Sequence, residues 1–561
     1  MPGTQATLLF DAIVVGSGAS GGWACKRLSE AGLKVALVDA GRPQPDKNFS
    51  EHDPVFKLKY RDRARQIIQK TRPMQGNVAS EYNYEWFCND LEEPYSVPQG
   101  MPFSWMGRLR VTGGRTNVWG RQSYRFSDLD LKAASYDGYG DDWPLSYQDL
   151  APYYDIVEEY VGITGMPEGA YELPDGKFHP PMPLACSEIL FRNRIKQKFG
   201  RLMTLGRSAN ITRSINGRAP CHYCGPCWRG CVTHSYFNSA FTTVADALKS
   251  GRCTHIPNAM AYQVLMDQER NHATGVLYID RVTHEPREVR GRVVVLCAQA
   301  LESVRILFNS ANRQYPNGLA NSSGVLGHYL MDHIMGIGAN GELPNVTGAR
   351  PTLNEPHRPD GIYVVRFRNT RNGPRDKRFL RGYGFQGGSY IGFNWGASGF
   401  GEAYKTAVKE PVSSFRLGAF GECLARWDNY VEIDRDLKDV FGIPVLRIHM
   451  TYGENEEAMA KDMVESAAEM LEAVGARNIK LQPKTPGPGW AIHEVGIARM
   501  GTDPKRSVLN QFEQTHDIKN LFVMDGAGFT STACQNPTLT IMALCVRSCD
   551  YLLDQLRRGD I

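Results

Sequence analysis

Residues 10–39 read FDAIVVGSGASGGWACKRLSEAGLKVALVD. Phe10 to Val15 is an apolar, β-branched run of strand length. The turn Gly16-Ser17-Gly18-Ala19-Ser20-Gly21 follows, then Trp23 to Glu30 with helical character, ended by Gly32. Lys34 to Val38 forms a second strand that closes on Asp39. The whole is one β-α-β unit of about 30 residues, the context that gives G-x-G-x-x-G its meaning. Gly16 permits the tight turn, Gly18 lets a pyrophosphate approach the main chain, and Gly21 lets helix and strand pack closely. Ala19 and Ser20 open the helix, whose N–H groups and positive dipole end suit phosphate. Asp39, about 20 positions beyond the turn, is placed to accept the adenosine ribose hydroxyls. An ADP-containing dinucleotide is expected here, and the motif alone leaves FAD and NAD(P) both open.

The chain around this unit has 561 residues, long enough for more than one domain. Lys and Arg number 64 against 60 Asp and Glu, a net charge of +4 that gives no support for a general nucleic-acid binder. The 42% of hydrophobic residues argues against a disordered chain. No apolar run reaches the ~18 residues that span a bilayer. Met1 to Phe10 lacks the basic and apolar regions of a signal peptide, so a soluble chain without its own export signal is expected.

Near the C-terminus, Trp490-Ala-Ile-His493-Glu-Val-Gly-Ile497-Ala-Arg499-Met500-Gly501 precedes a short strand, Asn520 to Asp525. Then come Asn536-Pro537-Thr538-Leu-Thr540 and an apolar tail of helical period, with Asn536 expected as N-cap and Pro537 as first helical residue. These segments, in this order after the fingerprint, resemble the glucose–methanol–choline (GMC) oxidoreductase family. Trp105 to Gly120 is similar to its glycine-rich flavin-contacting loop, Arg292 to Leu307 to its second strand-turn-helix, and Gly327 to His333 to the segment leaving the FAD domain. The sequence departs at Ile497, where the family pattern has Thr, and at Cys297-Ala298-Gln299, where Ala-Ala-Gly is usual. The resemblance implies FAD, held through Arg108, Thr112, Gly113, Gly114, Asn117, Val118, Trp119, Ala298, Asp525, Asn536, Pro537 and Thr538 as well as the fingerprint. It implies non-covalent FAD, because Val118 stands where some members carry a flavin-linking His.

Alcohol oxidation by a flavin needs a base for the hydroxyl proton, and neutral histidine suits that task. By resemblance His493 is the base and Asn536 its partner, since the family carries a His–His or His–Asn pair there.

Of the 13 cysteines, Cys221, Cys224, Cys227 and Cys231 fall in one segment, CHYCGPCWRGC. The spacing C-x2-C-x2-C-x3-C matches the iron–sulfur run of bacterial ferredoxins, with zinc as the rival. The other nine read as small buried hydrophobes. The family's bacterial dehydrogenase branch can carry a [3Fe-4S] centre, and four thiolates also suit [4Fe-4S]. Such a centre accepts one electron at a time, which favours a dehydrogenase feeding a cytochrome c over an O2-using oxidase. In that branch a small subunit with a twin-Arg signal can export the catalytic chain, which implies a periplasmic site; without such a partner the chain is cytoplasmic. The expected activity is oxidation of a secondary hydroxyl of a sugar or glycoside, possibly at C3. The alternatives are a pyranose or C-glycoside oxidase making peroxide, and a non-catalytic flavin- and metal-stabilised subunit.

The expected fold is α/β: a Rossmann-like FAD-binding domain interleaved with a substrate domain on an antiparallel sheet. Residues 1–50, 100–130, 215–330 and 486–561 are assigned to the first, and 51–99, 131–214 and 331–485 to the second. Tyr363 to Phe367, Ser389 to Asn394, Asn429 to Ile433 and Val445 to Met450 read as substrate-sheet strands, and Glu454 to Val474 as a helix closing it. Tyr390, Phe393 and Trp395 are candidates to stack on a sugar.

Overall fold

A computed structural model describes residues 9–343, 358–394 and 397–561. Leu9–Val15 and Val35–Val38 pair in parallel, joined by the helix Ala19–Glu30. Cys253–Ile256 extends the sheet beyond Val35–Val38, and Pro286–Leu296 lies on the other side of Leu9–Val15, both parallel. The antiparallel meander Ala259–Asp267, His272–Asp280, Pro286–Leu296 and the parallel strand Leu521–Val523 complete seven strands. The abutting segments Ala12–Val15, Val35–Val38 and Val293–Leu296 are apolar and buried, as a sheet covered by helices requires. The C-terminal helix Thr538–Arg558 packs on Ala19–Glu30, and the two ends of the chain meet in one core.

A six-stranded second sheet runs Arg477–Gln482, Gly338–Glu342, Pro411–Gly421, Tyr383–Phe393, Ile362–Val364, Met203–Leu205, with every pairing antiparallel. The helices Cys186–Phe199 and Glu454–Ala473 close its core through Phe191, Ile195, Met459, Met463 and Met470. Two of the expected substrate-sheet strands lie elsewhere. Tyr430–Lys438 and Pro444–His449 form a separate two-stranded ribbon, because Val431, Leu446 and Ile448 bury into the nucleotide-domain core. Trp395 falls outside the described residues. Among the described residues no helix is long and apolar enough to cross a membrane.

Candidate active site

A cleft of about 1340 Å3, including the solvent at its mouth, runs from the fingerprint to the N-terminus of the C-terminal helix. Gly16, Gly18, Ala19, Ser20 and Asp39 form one end of its wall. Arg108, Gly114, Trp119 and Ala298 form its flank, and His493, Asp525, Pro537 and Thr538 its far end. Gly16 has φ +100°, and a Cβ there would meet the Cys297 carbonyl oxygen at 2.5 Å. A Cβ on Gly21 would sit 1.8 Å from the Gly16 oxygen, so helix and strand touch only because both are glycine. Nothing lies within 4 Å of the space a Gly18 Cβ would take, which leaves that main chain open to a ligand. Asp39 accepts from Ser17 Oγ (2.6 Å) and from the Gly41 N–H (3.2 Å), fixing its carboxylate at the strand end. This glycine cradle and the fixed Asp39 carboxylate fit a dinucleotide.

Six residues expected on the cofactor lie off the wall: Gly21 and Asn536, and four that build the loop itself. Gly113 donates its N–H to Ser17 Oγ (2.8 Å), and Thr112 Oγ1 donates to the Arg42 carbonyl (3.2 Å). Asn117 Nδ2 reaches the carbonyls of Thr112 (3.0 Å) and Gly114 (2.9 Å), while its Oδ1 accepts from Asn238. Val118 packs with the Trp86, Phe87, Leu109 and Val111 cluster. Arg108 is held by Glu302 (2.7 Å) and the Glu93 carbonyl (2.6 Å). Burial opposes ionisation of Glu302, but Arg108, Arg305 and Arg110 outweigh it and hold the carboxyl well below its usual range.

At the far end His493 Nδ1 lies 3.2 Å from His333 Nδ1. Met331 and Val495 exchange both main-chain hydrogen bonds at 3.0 Å, and this bridge brings the two histidines together. His333 is buried, whereas His493 is half-buried with an edge on the cleft. Burial, with the charge of Arg115, lowers His493 to about 3, and burial next to His493 pushes His333 down as well. Both rings are therefore neutral at working pH, and His493 offers a lone pair to a proton. Arg115 brackets His493: it donates to the Ile492 carbonyl (3.1 Å) and grips the Glu494 carboxylate at 2.6 and 3.1 Å. Ile492 has φ +61°, a costly conformation for a β-branched residue that this clamp sustains. Asp332, fully buried, accepts the main-chain N–H groups of His493 (2.9 Å) and Ala491 (3.1 Å). The Phe420 ring from the second sheet stands 6.3 Å from His333 and 6.1 Å from His493.

Asn536 is not the helix cap. The helix begins at Thr538 with Pro537 at its N-cap and no side-chain cap, and Asn536 Oδ1 accepts from Gln386 Nε2 (2.6 Å) of the second sheet. Asn536 makes no hydrogen bond with His493, and His333 is the ring that meets it. His333, Asp332, Arg115 and Glu494 were not singled out in the sequence. The residues Asp332-His333 after the apolar Leu330-Met331, in a segment already matched to the family, were the available signal.

The GMC oxidoreductase family matches residues 10–335 and 425–545. The chain belongs to the GMC oxidoreductase family. It is 31% identical over 97% of its length to 2-methyl-1,2-propanediol dehydrogenase of Mycolicibacterium austroafricanum, covering 95% of that protein. It is 26% identical to the fructose dehydrogenase large subunit of Gluconobacter japonicus, over 99% of both chains. In fold it is similar to pyridoxine 4-oxidase from Mesorbium loti, with TM-score 0.64 and 17% identity over 97% of this chain and 99% of that one. The protein is an oxidoreductase acting on CH–OH donors, and its family implies FAD, which the cleft fits.

The four clustered cysteines lie on one loop, away from this cleft's wall. Tyr223, Gly225 and Gly230 take positive φ of 57°, 95° and 107°, folding the segment back on itself. Cys221 Sγ accepts the Tyr223 N–H (3.4 Å) and Cys231 Sγ the Ser235 N–H (3.3 Å). Burial, then Cys227, Cys231 and Glu51, push the Cys224 thiol up to about 12. Among the described residues no three of these sulfurs lie within 4.8 Å of one another.

Proposed function

We propose that the chain is an FAD-dependent dehydrogenase that oxidises a secondary hydroxyl of a sugar or glycoside. The observation that carries this reading is the neutral His493–His333 pair at the end of the cleft. FAD bound along Gly16–Gly21, Asp39 and the loop before Trp119 would supply the hydride acceptor. His493 removes the hydroxyl proton, and His333, 3.2 Å away, orients it and shares that proton. Asn536, its amide fixed by Gln386, donates to the same substrate oxygen and turns the C–H toward the cleft. The Phe420 ring packs beside the pair as an apolar neighbour. Two relatives named as dehydrogenases of a diol and a sugar support the polyol class.

Cys221, Cys224, Cys227 and Cys231 would hold an iron–sulfur cluster, [3Fe-4S] or [4Fe-4S], which supplies one-electron transfer to a cytochrome c-type acceptor. A small twin-Arg-exported partner would then deliver the chain to the periplasm. The test is iron and sulfide analysis combined with turnover on a panel of sugars and glycosides. The expected result is three or four irons per chain (roughly, from cluster stoichiometry), and dye reduction far above peroxide production. Rapid peroxide formation by an iron-free protein overturns the dehydrogenase reading in favour of an oxidase. Absence of turnover with every polyol favours a non-catalytic subunit.

A further inference from the structure

We propose that Asp332, His333 and His493 form a binding site for a zinc-class divalent cation, which competes with the hydroxyl substrate. The competition rests on His493 being the base; the binding does not.

One ligand atom from each of these residues lies within 4.8 Å of the other two, the one such set among the described residues. The two imidazole nitrogens stand 3.2 Å apart. Two nitrogens on one tetrahedral zinc, with bonds of about 2.0–2.1 Å, are separated by about 3.3 Å, so the rings need little movement. An N2O set of two imidazoles and a carboxylate suits zinc and neighbouring transition metals rather than calcium or magnesium.

Asp332 is the second, independent observation. It is 0% exposed, and the groups that bind it are main-chain N–H groups, not cations. The neighbouring side-chain charge acting on it is that of Glu494, of like sign. The nearby cation, Arg115, is committed to Glu494 and the Ile492 carbonyl. A buried carboxylate beside a like charge is costly, and a cation held with the imidazoles offsets that cost. The N–H groups of Ala491 and His493 orient the carboxylate as outer-shell donors orient a metal ligand. His493 also lines the cleft, so a cation on this set engages a ring that the substrate hydroxyl needs. A cation on His493 Nδ1 leaves the ring's one proton on Nε2, so the ring has no lone pair left to accept the hydroxyl proton.

The experiment uses FAD-loaded protein whose cysteine loop is silenced by Cys224→Ser and Cys227→Ser. Zn2+ alone is titrated against a chromophoric chelator, and Co2+ is followed by its visible bands beyond the flavin absorption. The expected result is one ion per chain and a tetrahedral cobalt spectrum without thiolate charge transfer. Affinity should fall at least about tenfold in both Asp332→Asn and His333→Gln, with FAD content as the check on folding. Zn2+ should raise the KM for the hydroxyl substrate and leave kcat unchanged. No ion bound, or the same affinity in FAD-loaded Asp332→Asn, overturns the proposal. If the ion binds but wild-type protein, with its cysteine loop intact, oxidises no polyol, the functional reading fails and the site stands.

Discussion

His493 owes its position to contacts that its own neighbours in sequence do not supply. Arg115 holds the residues on either side of it, and Asp332 accepts its main-chain N–H. Arg115→Met should therefore retain FAD, leave KM little changed and lower kcat by about 10- to 100-fold, because the base loses its orientation. Arg115→Lys should recover only part of that rate, since Lys cannot grip Glu494 with two parallel bonds. Steady-state kinetics with the flavin content measured check both. His493 was legible because a long motif surrounds it. His333 was not, because the pair joins rings 160 positions apart through a main-chain bridge that no local pattern announces.

The strand-turn-helix at the N-terminus was legible in full because its parts are adjacent in sequence and each glycine has one physical task. Its glycines make separable predictions. Gly16→Ala should expel FAD and destabilise the fold, since its Cβ meets Cys297 oxygen at 2.5 Å in a left-handed conformation. Gly18→Ala should leave the FAD-free protein as stable as wild type, because its Cβ meets nothing, yet weaken FAD retention where a pyrophosphate needs that space. Flavin-to-protein absorbance ratios and thermal melts of the FAD-free forms distinguish the two. At the other end, local pattern misleads: Asn-Pro before a helix reads as a cap, but Gln386, 150 positions away, claims that amide. The ribbon Tyr430–Lys438 with Pro444–His449 shows the same limit, for alternation marks a strand without saying which core receives it.

Across the whole molecule, two sheets with separate cores meet at the histidine pair, and buried acids fill the space between segments. Glu422, fully buried near Arg381, is raised by burial from 4.5 to about 7. Its folded form holds a proton that the unfolded chain gives up earlier, so its contribution is complete below about pH 4.5 and is lost as pH rises through 7. The slope is at most about 1.4 kcal/mol per pH unit in that window. Glu422→Gln should therefore compare more favourably with wild type at pH 8 than at pH 5, as paired melting curves at the two values will read. His493 has the opposite slope: buried neutral with a value lowered to about 3, it adds stability above its ordinary 6.5 that is lost as pH falls toward 3. The central claim, that the cleft and its neutral histidines oxidise a hydroxyl, is tested most directly by mixing FAD-loaded protein anaerobically with a polyol and following flavin absorbance. Wild type should bleach, and His493→Ala, with FAD still bound, should bleach about 10²- to 10⁴-fold more slowly. Bleaching of His493→Ala at the wild-type rate would contradict the account.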